Sequence, residues 1–186
     1  MEKREGITNI AVIGAGTMGP GMALAFAQYG FEAKLFSRRQ ETLDKAKSVM
    51  QTSLGTLAEF GIVQQEAIGP ILGRVTFTNL LKAAASDADV ICETVAESRE
   101  VKSEIFEQLD KICPTETIFT SNTSSLNIFN LVPSSRLPNT LIAHWFAPPH
   151  IVPLVEVVRG PQTKDETMNL IANLLKKVGK IPVRME

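Results

Sequence analysis

Short apolar runs alternate along nearly the whole chain with longer segments in which apolar residues recur at helical spacing. The runs predict strands at 10–13, 33–36, 75–78, 90–94, 118–121, 141–144, 155–158 and 181–184. The longer segments predict helices at 18–29, 40–60, 64–72, 102–112, 128–132 and 164–178. Parallel strands need a long crossover to return the chain to the same end of the sheet, and a helix is the usual crossover. The expected fold class is therefore α/β: a doubly wound, mainly parallel sheet with helices on both faces, built as one domain from residues 1–186. Gly30 falls where a C-terminal helix cap belongs, and Thr163-Lys164-Asp165-Glu166 has the form of a capping box opening the last helix. The segment Ala147-Pro148-Pro149-His150-Ile151-Val152-Pro153 breaks the pattern just after a strand. Ligands in such sheets bind at the carboxyl ends of strands, so this loop is a site candidate.

The first strand runs into Gly14-Ala15-Gly16-Thr17-Met18-Gly19, and a helical pattern (Met18, Met22, Ala23, Phe26, Ala27) follows at once. A strand that leaves a tight glycine turn as a helix aims free N–H groups and a positive helix end at whatever lies above the turn. Gly14 makes the turn, Gly16 leaves room for phosphates, and Gly19 lets the helix press against the sheet. The plain alternative is a tight turn with no ligand, but the flanking strand and helix supply the context that a bare G-x-G-x-x-G lacks. The motif predicts a Rossmann-type dinucleotide site, with Gly14, Ala15, Gly16, Thr17, Met18 and Gly19 around the pyrophosphate.

Charge narrows the partners. The chain carries 19 basic and 20 acidic residues in 186, a net charge of −1, so no global field recruits nucleic acid or an anionic membrane. No apolar run approaches a membrane span, and residues 1–5 lead toward a strand rather than a signal segment. Cys92 lies in an apolar run and Cys113 at a helix end, without C-x-x-C spacing. Two such thiols point to a reducing cytoplasm and to buried small hydrophobes rather than a disulfide or a metal site.

An NAD site usually places Asp or Glu about 20 residues beyond the glycine turn, on the adenine ribose 2′-hydroxyl. Here the second strand ends Leu35-Phe36-Ser37-Arg38-Arg39. Ser37 can donate to a 2′-phosphate, while Arg38 and Arg39 can pair with it and stack on adenine. This chemistry favours NADP over NAD. The alternative is a solvated basic start to the next helix, with Ser37 as its cap.

Three elements of the second half carry chemistry. Ser121-Asn122-Thr123-Ser124-Ser125 is a hydroxyl-rich turn after a strand, His144 ends another strand, and Glu156 is the single carboxylate of the run 152–158. A carboxylate in such a run is costly to bury unless paired, and an imidazole is the natural partner. Held that way, His144 is suited to removing a proton from a hydroxyl. On residue chemistry alone two readings stay open. One is this dyad; the other is a core histidine bonded to backbone and an edge-strand glutamate facing water.

The segments Gly14–Gly19, Glu97-Ser98-Arg99-Glu100-Val101-Lys102, Ser121–Ser125, His144 and Pro153-Leu154-Val155-Glu156-Val157-Val158 together resemble the NAD-binding domain of L-3-hydroxyacyl-CoA dehydrogenases. The likeness runs from about residue 10 to residue 183, in family order and spacing. It implies an NAD(P)-dependent oxidoreductase of fatty acid metabolism that interconverts 3-hydroxyacyl-CoA and 3-oxoacyl-CoA. It also implies that His144 is the general base, Glu156 its partner, and Ser124 a contact of substrate oxygen and nicotinamide. Glu97, Lys102 and Asn122 are implied to bind cofactor. The family further implies a homodimer and a helical domain beyond the last strand, which this chain lacks; without it the isolated chain is expected to be poorly active. Two positions depart from the pattern: Ser37 stands where the family has Asp, and Ala147 where it has an Asn near the nicotinamide. Relatives with this architecture act on other 3-hydroxy acids, and a dinucleotide-binding domain without catalysis is a further alternative.

Overall fold

The computed structural model describes residues 6–185. Eight strands make one sheet: β1 (Asn9–Ile13), β2 (Glu32–Phe36), β3 (Val75–Thr78), β4 (Val90–Glu93), β5 (Ile118–Ser121), β6 (Thr140–Trp145), β7 (Leu154–Arg159) and β8 (Ile181–Met185). Their order is β3-β2-β1-β4-β5-β6-β7-β8. All neighbours are parallel except β6 and β7, which run antiparallel. The helices are α1 (Gly19–Gln28), α2 (Gln40–Glu59), α3 (Ile68–Gly73), α4 (Leu81–Ala85), α5 (Arg99–Ile112) and α6 (Asp165–Lys177). This is the doubly wound, Rossmann-type α/β fold that the alternation predicts.

Residues of β1 divide between two cores. Ile10 and Val12 pack with Phe26, Leu43, Met50 and Ile171 from α1, α2 and α6, whereas Ala11 and Ile13 pack with Ala84, Phe106 and Leu109 from α4 and α5. A strand covered on both faces must be apolar at every position, which is why it reads as a continuous run. Gly30 has φ +88° just past α1 and donates its N–H to Ala27 O at 3.2 Å, as a C-terminal cap does.

Several local expectations need correction. The predicted capping box does not form: Lys164 occupies the cap of α6 without a side-chain bond, and Thr163 instead bonds Thr140 O and accepts the N–H of Gly160. The helix expected at 102–112 begins at Arg99, because Ser98 Oγ accepts the Val101 N–H and caps it there. The segment at 64–72 divides into a 3₁₀ turn (Gln65–Ala67) and α3, and that at 128–132 is a 3₁₀ turn over Ile128–Asn130. The short α4 and a 3₁₀ helix at Ser134–Asn139 had no periodic signal long enough to show. The reading of residues 1–5 lies outside the described residues. Among the described residues, no helix is long and apolar enough to cross a membrane.

The glycine turn is built by contact. Gly14 has φ +116°, and a Cβ there would lie 2.5 Å from Thr94 O, at the end of the neighbouring β4. A Cβ on Gly19 would lie 1.9 Å from Gly14 O and 3.3 Å from Leu35 Cδ1, so α1 starts in direct contact with the turn and with β2. A Cβ on Gly16 would meet nothing within 4 Å. Gly19→Ala should therefore cost about 3 kcal/mol, the upper end of ordinary overpacking. Gly16→Ala should stay within ~0.5 kcal/mol of the parent, as surface changes do. Urea unfolding midpoints check both; equal midpoints would show that α1 can shift away from the turn.

Candidate active site

Strand order reverses direction between β1 and β4, and the crevice at such a point is where a doubly wound sheet takes its ligand. A cavity of about 380 Å³ opens there. Gly14, Ala15 and Gly16 line it from the first turn, Ser37, Arg38 and Arg39 from the end of β2, and Thr94 and Val95 from the end of β4. Thr17 and Met18 carry the turn into α1, where Met18 O accepts the Met22 N–H at 3.0 Å. Arg38 and Arg39 are exposed, and Ser37 Oγ accepts the Arg39 N–H at 3.4 Å. Open space over Gly16 beside two exposed guanidinium groups fits the phosphates of a dinucleotide.

The candidate proton-transfer residues lie further along the sheet, on β6 and β7. The antiparallel register sets His144 of β6 directly opposite Glu156 of β7. Nδ1 of His144 and Oε2 of Glu156 are 2.9 Å apart, with side chains 22% and 34% exposed. Both plain alternatives fall away. The imidazole's partner is a carboxylate, and β8 lies outside β7, so Glu156 is not on an edge strand. Opposite an ionised carboxylate, which only accepts, the tautomer that completes this bond carries its hydrogen on Nδ1 and keeps Nε2 free to accept. The Phe146 ring packs 4.7 Å from the imidazole.

The hydroxyl turn follows β5, between β4 and β6, and acidic residues hold it. Glu97 accepts from Thr123 Oγ1 at 2.5 Å, from Ser124 N at 3.2 Å and from Ser125 N at 3.4 Å. Burial alone would push Glu97 up, but the Thr123 hydroxyl, the Lys102 charge and the Ser125 N–H hold its carboxyl below the ordinary value. Ser124 stands exposed on this turn. Asn122 Oδ1 accepts the Trp145 N–H at 2.7 Å, tying the end of β5 to the strand that carries His144.

The resemblance places Lys102 in the cofactor cleft, but its side chain is 1% exposed and its ammonium is taken up by carboxylates. It donates to Glu93 at 2.8 and 3.0 Å and lies 3.2 Å from Glu97 Oε2. Lys102 therefore reaches the site through Glu97 rather than with its own tip. Glu93 was not singled out in the sequence. It is fully buried, and accepts also from Ser121 Oγ at 2.5 Å and Val95 N at 2.7 Å. Its signal was available: a carboxylate ending the apolar run Val90-Ile91-Cys92, the same pattern that marks Glu156.

The family model for the "3-hydroxyacyl-CoA dehydrogenase, NAD binding domain" matches residues 9–186. This chain belongs to that family. It is 41% identical over 173 residues to a protein of Deinococcus radiodurans named "probable 3-hydroxybutyryl-CoA dehydrogenase", covering 92% of this chain and 62% of that one. It is 34% identical to the 5-formyl-3-hydroxy-2-methylpyridine 4-carboxylate 5-dehydrogenase of Mesorhizobium japonicum, covering 95% of this chain and 57% of the relative. The crystal structure of 3-hydroxybutyryl-CoA dehydrogenase from Escherichia coli K12 superposes with a TM-score of 0.90 at 32% identity, over 96% of this chain and 38% of that one. The chain thus spans about three fifths or less of the length of these relatives. As a member of an NAD-binding domain family, it is a domain for NAD(H).

The buried cluster under the hydroxyl turn generates a stability prediction. Lys102→Met strands the Glu93 carboxylate without its cation, which should cost about 3–5 kcal/mol. Glu93→Gln combined with Lys102→Met removes both charges and should recover a large part of that loss. Urea denaturation of the single and double variants measures the coupling; strictly additive losses would show that the two groups do not act as a pair.

Proposed function

We propose that this chain is the cofactor-binding part of a dehydrogenase that interconverts a 3-hydroxyacyl-CoA and a 3-oxoacyl-CoA, in fatty acid metabolism. The observation that carries this reading is the His144–Glu156 pair, 2.9 Å apart and partly open to solvent at the end of an antiparallel strand pair. Glu156 fixes the imidazole with its proton on Nδ1, so Nε2 takes the proton of the substrate's 3-hydroxyl and Glu156 stabilises the imidazolium that forms. Bound at the glycine turn, the oxidised nicotinamide cofactor supplies the acceptor for hydride from C3. Gly14, Ala15, Gly16, Thr17, Met18 and Gly19 hold its pyrophosphate, and Glu97, Asn122 and Ser124 form the wall toward the reacting carbon. Ser124, exposed on its turn, is the contact for substrate oxygen.

Residues 1–186 form one domain in this reading, which works with a further helical domain as a homodimer in the cytoplasm. Cys92 and Cys113 fit a reducing compartment: both are free and buried, and burial pushes each thiol up to about 12. A second reading, a dehydrogenase of another hydroxylated substrate, is supported by the 34% identity to the pyridine carboxylate dehydrogenase. Relative turnover of acetoacetyl-CoA and non-thioester substrates distinguishes the two.

In the protein that carries this chain, His144→Gln should lower kcat by about 10²–10⁴-fold, the usual range for a general base, with cofactor affinity unchanged. Glu156→Gln should also lower kcat, because a neutral amide stabilises the imidazolium less well. Near-normal turnover after His144→Gln would remove the base from this reading.

The cofactor preference proposed for this chain is NADP(H). Arg38 and Arg39 are exposed beside Ser37 in the cavity lining, with no carboxylate among the three. A charged hydrogen bond to a 2′-phosphate is worth about 1.5–3 kcal/mol, enough for roughly tenfold to hundredfold discrimination. NADP(H) should bind at least as tightly as NAD(H) at low salt, and added salt should weaken the preference. Ser37→Asp with Arg38→Ala should reverse it. Calorimetry with both cofactors tests this, and a clear preference for NAD(H) at low salt in the unaltered chain would sink it.

A further inference from the structure

Lys180 is 7% exposed just before β8, and no ion pair among the described residues includes it. Its ammonium donates to Pro149 O at 2.5 Å and Val152 O at 2.9 Å, and lies 5.4 Å from the centre of the Trp145 ring. Both carbonyls belong to the connection 146–153 between β6 and β7. The next residue holds the same connection, with Ile181 N–H donating to Pro153 O at 2.8 Å. Burying a cation on backbone carbonyls is costly unless the contacts are good, and burial pushes the Lys180 pKa down.

The connection needs outside support. Pro148, Pro149 and Pro153 have no N–H to give, and the Ile151 and Val152 N–H groups both turn back onto Pro148 O, at 3.0 and 2.9 Å. A Cβ on Gly21 would lie 2.8 Å from Pro149 Cδ, so the connection is also pressed against α1. Trp145 and Val155 are the last strand pair before it, and His144 and Glu156 are the pair next to them. Slack in the connection therefore reaches the dyad after a single step of the ladder.

We propose that Lys180 is a positioning residue for the His144–Glu156 pair: by pinning the Pro149 and Val152 carbonyls it fixes the strand register in which imidazole and carboxylate meet. The inference rests on the proposed role of His144, but its test reads the hydrogen bond and not turnover. The chain has two histidines, so in ¹⁵N-labelled protein the His144 Nδ1–H resonance is assigned by its loss in His144→Gln. In Lys180→Met this resonance should be lost to solvent exchange while the amide signals of β1, β2 and β3 stay in place. Lys180→Gln, whose donor is one bond shorter and reaches a single carbonyl, should show faster exchange than the parent. An unchanged resonance in either folded variant overturns the proposal. Absence of the resonance from the unaltered chain would instead overturn the pairing itself, and with it the proposed function.

Discussion

The Glu93 carboxylate, at the end of the central strand β4, has no access to water, and burying a carboxylate is costly unless it is paired and hydrogen-bonded. Lys102 from α5, the hydroxyl of Ser121 from β5 and the backbone N–H of Val95 converge on it. Each of these contacts sets a piece of the cleft. Lys102 draws α5 over the strand ends and forms an ion pair with Glu97, which gathers the N–H and hydroxyl groups of the turn at Thr123, Ser124 and Ser125. The hydroxyl-rich turn is thus anchored by a charge cluster beneath it. A buried cluster of this kind is costly to assemble and costly to break, so it resists partial rearrangement.

The glycine turn and the His144–Glu156 pair sit on different kinds of strand pairing. Parallel strands β1 and β4 bring two turns together at their carboxyl ends, where Gly14 approaches Thr94 closely enough to exclude any side chain. Antiparallel strands β6 and β7 bring two side chains face to face, where His144 meets Glu156. Parallel pairing suits a backbone cradle, and antiparallel pairing suits a side-chain pair whose partners lie directly opposite. Asn122 links the two regions by accepting the Trp145 N–H across β5 and β6. Lys180 secures the far side of the same strand by holding the loop that follows it.

Two positions depart from the family likeness. Ser37, Arg38 and Arg39 give the cavity beside the glycine turn a basic rim at the end of β2. Ala147 follows His144 by three residues and is exposed. The hydroxyl turn and the His144–Glu156 pair keep the polar groups that the family likeness implies.

The sequence by itself determined the alternation of strands and helices, the glycine turn and the identity of the chemical groups. Those signals are local: period, apolar runs and the conformational freedom of Gly14 are all properties of neighbouring residues. His144 and Glu156 were recognisable as candidates, but two readings stayed open, because pairing depends on a register between strands separated by a proline-rich loop. The burial of Lys102 was invisible, since a lysine on a helix reads as solvated until the fold places Glu93 and Glu97 on either side of it. Thr163 looked like a cap until Thr140 came within reach of its hydroxyl. Lys180 carried no local signal at all, because its partners are carbonyls of a loop distant in sequence. Residue type set what each group could do; only tertiary contact decided which groups meet, because buried charges and hydroxyls take their partners from whatever the folded chain brings beside them.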